Sequence, residues 1–157
     1  MKNEDELKKA KFYALKAINF RPRSTEELTE RLKNRGFLGE TIKQVISEFT
    51  DSGLLDDTKF SRLWVNSRMA SNPKGVTLLK RELKSKGMKR ELIEKIIEET
   101  KKDYNEYEVV KRLADARMGQ LKGLNQTTAK RRLFGFLKRR GFTFDTIMKV
   151  LEQEFKN

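Results

Sequence analysis

The chain contains no cysteine and no histidine. Their absence excludes disulfides, cysteine or histidine zinc sites, Ser-His-Asp and Cys-His nucleophile systems and a histidine general base. There are only two prolines in 157 residues, and no run reaches the roughly 18 unbroken apolar residues of a membrane span. The opening residues, Met1 to Leu7, are mostly charged and no apolar segment follows, so a soluble cytoplasmic protein with no membrane partner is expected. Neither a Walker A sequence nor a dinucleotide glycine fingerprint occurs. Acidic pairs concentrate no metal or catalytic site: Asp56 reads as a helix cap, and Glu98 and Glu99 diverge as adjacent helical residues. The expectation is a protein that is not an enzyme and holds no cofactor or metal.

What is abundant is charge. Charged residues make up 38% of the chain and hydrophobic ones 36%, a balance that suits thin helical layers whose apolar stripes are covered by long side-chain stems. Thirty-six Lys and Arg against 23 Asp and Glu leave a formal charge of +13, which favours an anionic partner, with nucleic acid foremost.

The apolar residues repeat. Gly36, Gly87 and Gly141 stand 51 and then 54 residues apart, and six apolar positions recur around each. Leu28, Leu79 and Leu133 lie eight residues before the glycine, and Leu32, Leu83 and Leu137 four before. Phe37, Met88 and Phe142 follow it directly; Ile42, Ile93 and Ile147 lie six after, and Val45–Ile46, Ile96–Ile97 and Val150–Leu151 nine and ten after. The leucines share one helical face, and the later set has the i, i+3, i+4 spacing of a second amphipathic helix. The glycine suits a left-handed helix C-terminus. Ser24 and Glu27 form a capping box opening the first middle helix, Pro22 blocks continuation from upstream, and Asp56 is the expected cap further on.

Each pair is preceded by another apolar helix: about 5–19 with Phe12, Leu15 and Ile18; 57–69 with Phe60, Leu63, Trp64 and Val65; and 104–118 with Tyr107, Val110, Leu113 and Ala114. Phe60, Trp64 and Tyr13 are expected in the core, and Lys101–Asp103 at a joint. The predicted fold is all-α, an elongated, curved tandem array of three three-helix repeats spanning 1–53, 54–103 and 104–157, since units of this size need packing between neighbours.

The basic residues follow the same register. Lys33, Lys84 and Lys138 precede the glycines by three, and Arg35, Lys86 and Arg140 by one, where cations also compensate the helix dipole by roughly 0.3–1 kcal/mol each. The third repeat exceeds that need. Between Ala116 and Phe144 stand Arg117, Lys122, Lys130, Arg131, Arg132, Lys138, Arg139 and Arg140, with no acidic residue. Arg21, Arg23, Arg68 and Lys74 flank loops and form a second rank of contact candidates. Helices after the glycines are neutral to acidic, which argues against base reading by a second helix and leaves backbone contact open. Eight phosphate contacts would give a salt slope of about −7.

Arg23–Leu28, the run Gly53-Leu54-Leu55-Asp56-Asp57-Thr58-Lys59-Phe60-Ser61, Lys84–Met88 and Leu137–Ile147 together resemble the signatures of the bacterial RecX family, in order along nearly the whole chain. The second copy departs at Lys74-Gly75-Val76-Thr77, which lacks a polar cap matching Ser24. The resemblance implies tandem three-helix repeats that bind the RecA recombinase filament on single-stranded DNA. It also implies that such a protein restrains RecA's ATPase and strand exchange without catalysis of its own. A general sequence-independent nucleic-acid-binding repeat protein is the alternative, and nothing demands more than a monomer.

Overall fold

The computed structural model describes residues 2–156, Lys2 by its backbone. Among these residues the chain is nine α-helices with one short 3₁₀ turn and no strand. They are α1 (Lys2–Phe20), α2 (Thr25–Asn34), α3 (Gly39–Asp51), α4 (Asp57–Ser71), α5 (Val76–Ser85), α6 (Arg90–Asp103), α7 (Glu106–Met118), α8 (Gln126–Arg139) and α9 (Phe144–Glu154), with the 3₁₀ turn at Gly119–Leu121. The helices fall three by three into a tandem of three-helix units, as the glycine-anchored pattern predicts. None is long and apolar enough to cross a membrane.

The repeated leucines are the pivots of the fold. Leu28, Leu32, Leu79, Leu83, Leu133 and Leu137 are all fully buried, each contributing about 1.5–3 kcal/mol by leaving water. Gly36, Gly87 and Gly141 take φ of +88°, +83° and +82°, the left-handed turn expected of a helix-closing glycine. At the first two the closure is a Schellman pair: Gly36 N–H donates to Lys33 O at 2.9 Å and Phe37 N–H to Leu32 O at 3.3 Å, with Gly87–Lys84 at 3.0 Å and Met88–Leu83 at 3.1 Å.

The chain divides into two compact units: Met1–Trp64 with Leu83–Leu92, and Val65–Glu82 with Ile93–Asn157. In the first, α1 packs on α3 and α2 around Ala10, Ala14, Ala17, Leu28, Leu32, Ile42, Val45, Phe49 and Leu55. The face of α1 that points inward differs from the expected one. Phe12 and Leu15 are solvent-exposed, and the buried row is Ala10, Ala14 and Ala17 at i, i+4, i+7. Methyl-sized side chains let the helix axes approach closely, which the larger row could not. Leu63, also expected inside, is exposed as well.

The helix starts are satisfied in several ways. Ser24 accepts the Glu27 N–H at 3.1 Å and the Glu27 carboxylate takes the Ser24 N–H at 3.2 Å, completing the capping box. Asp56 accepts the Lys59 N–H at 3.0 Å. The first turn of α3 is closed from α1, where the Glu6 carboxylate accepts the Leu38 N–H at 2.8 Å.

In the second unit, α7, α8 and α9 enclose Val110, Ala114, Leu121, Ala129, Leu133, Leu137, Phe142, Ile147, Val150 and Leu151. Glu106 repeats the role of Glu6, accepting the Thr143 N–H at 2.7 Å. The missing polar cap before α5 is replaced by backbone. Gly75 N–H donates to Arg140 O at 2.8 Å and Thr77 N–H to Gly141 O at 3.2 Å. A Cβ on Gly75 would stand 2.1 Å from the Gly141 carbonyl carbon, so only glycine admits this approach. The joint placed at Lys101–Asp103 belongs instead to the last turn of α6, and the break falls at Tyr104 and Asn105, where the Asn105 side chain caps α7. Asn105 opens α7 because its side-chain oxygen accepts the Glu108 N–H at 3.3 Å in place of a backbone partner.

Candidate functional site

α8 has 14 residues where α2 and α5 have 10, so it starts a turn earlier, at the Asn125 cap that accepts the Thr128 N–H at 2.8 Å. Side chains four apart stack on a helix, and α8 therefore carries four parallel rows. Ala129–Leu133–Leu137 is the buried row. The remaining rows are Lys130–Phe134–Lys138, Arg131–Gly135–Arg139 and Arg132–Phe136–Arg140, each with a cation at both ends.

The middle row opens a cleft. Arg131, Arg132 and Arg139 meet Arg117 of α7, with Gln120, Leu121 and Gly135 completing a cavity of about 400 Å³. Gly135 makes the room: a Cβ there would come within 3.1 Å of Arg139 Nη1. Beside it, two guanidinium groups lie over the Phe136 ring, Arg117 at 4.8 Å and Arg140 at 4.7 Å from its centroid. Such stacking fixes an arginine plane without consuming its N–H donors.

The other cations go elsewhere. Lys130 lies over Phe155 at 5.6 Å and Lys138 over Phe134 at 5.8 Å. Arg140 donates to Asn72 Oδ1, and Lys122 is exposed outside the cleft lining. The eight cations thus wrap α8 and its neighbours instead of forming one stripe. Among the described residues no carboxylate oxygen lies within 4 Å of Arg117, Lys130, Arg131, Arg132, Lys138, Arg139 or Arg140, so none of them is held in a contact ion pair.

The candidate cations of the first two repeats are mostly engaged. Lys33 pairs with Glu30 at 3.3 Å and Arg68 with Glu82 at 3.0 Å. Lys86 reaches Glu27 at 2.7 Å while lying 4.6 Å from the Trp64 ring centroid, and Arg21 also holds Glu27, at 3.1 Å. Burial pushes the Glu27 carboxyl up, but hydrogen bonds from Arg21, Lys86 and the Ser24 amide outweigh it and hold the pKa at about 2. Arg23 donates from Nε to Ala17 O at 3.2 Å, and burial together with neighbouring Arg21 and Arg31 lowers its pKa. Arg35 and Arg31 lie over Tyr13, at 5.2 and 5.6 Å. Lys84 is exposed, and the Lys74 carbonyl accepts the Tyr104 hydroxyl at 3.3 Å. Phe60 is buried as expected, whereas Trp64 and Tyr13 are only half-buried because each keeps one ring face under a cation.

Chemically, the cleft offers planar, permanently charged N–H forks around an open space, the geometry that clamps phosphate or carboxylate oxygens. Among the described residues no group of three or more acidic side chains gathers as a metal site. Gln120, Gly135, Phe136 and Arg31 escaped sequence reasoning. The spacing of four in Arg132–Phe136–Arg140 and Arg131–Gly135–Arg139 is the signal that points to two of them.

Comparisons with known proteins agree on one lineage. Three family models match in order: the first three-helix domain of RecX at residues 10–49, the second at 56–97 and the third at 103–151. The chain is 32% identical over 153 residues to the regulatory protein RecX of Amycolatopsis mediterranei, covering 98% of this chain and 87% of that one. It is 31% identical over 155 residues to that of Prosthecochloris aestuarii, covering 99% of each. Its fold matches the crystal structure of RecX from Lactobacillus salivarius with a TM-score of 0.84 at 19% identity, over 96% of this chain and 97% of that one. With three consecutive domain models and relatives aligned end to end, the chain belongs to the RecX family of regulatory proteins.

Proposed function

We propose that this chain is a non-enzymatic modulator, mainly an inhibitor, of the RecA recombinase. It binds as a cytoplasmic monomer in the groove of the RecA–single-stranded DNA filament and restrains ATP hydrolysis and strand exchange. Repeats 1–53, 54–103 and 104–157 make separate contacts, so individually weak interactions add. Family membership supports the recombinase as partner. The observation that carries the choice of surface is the cleft of Arg117, Arg131, Arg132 and Arg139, four guanidinium groups with no carboxylate oxygen within 4 Å among the described residues. Such forks suit a phosphate backbone or an acidic protein surface.

The test adds the full chain to RecA-coated single-stranded DNA and follows ATP hydrolysis and filament length. A saturable fall in hydrolysis that weakens in the double variant Arg131→Glu, Arg139→Glu is the expected result. Unchanged hydrolysis at saturating protein overturns the reading. Tight binding to naked DNA with no effect on the filament favours the general nucleic-acid binder instead.

A further inference from the structure

The first repeat presents a surface that is covered in the other two. Where the middle helix of the second repeat closes, a Cβ on Gly87 would meet Glu26 Cβ at 2.4 Å, because the first turn of α2 lies on it. In the third repeat a Cβ on Gly141 would meet Leu78 Cβ at 2.3 Å, because the first turn of α5 lies there. The carbonyl before each glycine is also taken, Lys86 O by the Ser24 hydroxyl and Arg140 O by the Gly75 N–H, both at 2.8 Å. Gly36 is the third member of this set, and a Cβ on it would meet nothing within 4 Å.

The flanking chemistry is the same, minus one partner. Lys86 lies over Trp64 and is clamped by Glu27; Arg35 and Tyr13 stand 51 residues earlier in the same relation. Among the described residues no carboxylate oxygen lies within 4 Å of Arg35 or Arg31. Arg35 and Phe37 lead into a groove of about 1030 Å³ whose lining carries five cations and no carboxylate. Its rim is apolar, with Phe12 73% and Phe20 83% exposed. Exposed aromatic residues of this size beside uncancelled charge mark an interaction surface.

We propose that the Gly36 turn and its groove dock the first turn of an acidic amphipathic helix from a partner protein. Its carboxylate pairs with Arg35 and Arg31 as Glu27 pairs with Lys86, and its apolar side chains cover Phe12 and Phe20. The template for the occupant is the chain's own Ser24-Thr25-Glu26-Glu27 turn. Among the three middle helices, the opening turns of α2 and α5 are used internally and α8 opens with Gln126-Thr127-Thr128-Ala129, which holds no carboxylate, so no middle helix of a second copy supplies that turn. A partner protein therefore fits better than a second copy. The inference rests on the reading above only in that the chain works by binding another protein.

The test uses the full chain and a labelled 20-residue helical peptide opening Ser-Thr-Glu-Glu, with a Ser-Thr-Gln-Gln peptide as control, read by fluorescence anisotropy and by NMR shifts at Phe12, Tyr13 and Phe20. The expected result is saturable binding of the acidic peptide, weakened about tenfold or more by the control sequence, by Arg35→Glu and by Phe12→Ser with Phe20→Ser. Arg35→Gln, which keeps bulk and removes charge, reports the electrostatic part separately from any loss of fold. Absence of saturable binding, equal binding of both peptides, or indifference to Arg35→Glu overturns the proposal. So does an Arg35-dependent dimer in sedimentation, which makes a second copy the occupant, or an oligo-dT that shifts the Phe12 and Phe20 resonances in place of the peptide. No recombinase is present, so failure here leaves the filament reading intact, and failure of the filament assay leaves this one intact.

Discussion

The Ser24 hydroxyl donates a 2.8 Å hydrogen bond to the carbonyl of Lys86, 62 residues away, while its oxygen accepts the Glu27 N–H that starts α2. One buried side chain thus serves as helix cap and as joint between two repeats. Removing it leaves a donor and an acceptor unsatisfied together. Ser24→Ala is expected to cost about 1–3 kcal/mol, and Ser24→Thr, which keeps the hydroxyl, much less. Thermal and urea unfolding midpoints check the order.

Acid should loosen the same joint. The Glu27 carboxyl sits at about 2 in the folded chain, below the roughly 4.3 of an unfolded glutamate. A depressed pKa contributes stability that is complete above the unfolded value and is lost as pH falls through the folded one, so the window runs from about 4.5 down to about 2. Full conversion gives about 3 kcal/mol, and solvent screening of the half-exposed Arg21 partner reduces it to about 1–2 kcal/mol. Glu27→Gln should lower stability at neutral pH and flatten the pH dependence in that window, seen as converging unfolding midpoints of variant and parent near pH 2.

Glycine positions should rank by what lies against them. Gly36→Ala meets open space and carries only the left-handed cost of about 1–2 kcal/mol. Gly141→Ala adds a collision with Leu78 and should lose about 3 kcal/mol or more. Gly75→Ala, aimed at backbone, should be at least as severe. Equal losses at Gly36 and Gly141 would contradict the junction.

On α1, Ala14→Leu should destabilise by about 1–3 kcal/mol through overpacking, whereas Phe12→Ser should stay within about 0.5 kcal/mol. The reverse ranking would mean that the bulky row faces the core.

Arg131→Ala with Arg139→Ala removes two charges that form no contact ion pair among the described residues. Unfolding midpoints should hardly move. The slope of log K against log salt for single-stranded DNA should fall in magnitude by about 1.4, two contacts at about 0.7 each. An unchanged slope would place the anion elsewhere.

The three-helix repeat was legible because its signals are local. Leucines four apart, a glycine after them and an i, i+3, i+4 set beyond need only helical geometry to be read. The Ser24–Glu27 box and the Asp56 cap are likewise contacts within four residues. The α1 face was not, because two apolar rows compete there and only the distance to α2 and α3 chooses the alanines. The eight cations of the third repeat were legible as a count, whereas their division between an arginine cleft and lysines over phenylalanine rings was not.

By itself the sequence determined the all-helical class, the threefold register and the excess of positive charge, since each follows from composition or from spacing within a few turns. The tertiary structure alone decided how one repeat meets the next within each compact unit: a serine hydroxyl at the first junction and a bare glycine amide at the second, each on a carbonyl dozens of residues away. It also left the matching Gly36 turn uncovered. Those outcomes depend on which backbone groups come within hydrogen-bonding distance, and no local pattern encodes that distance.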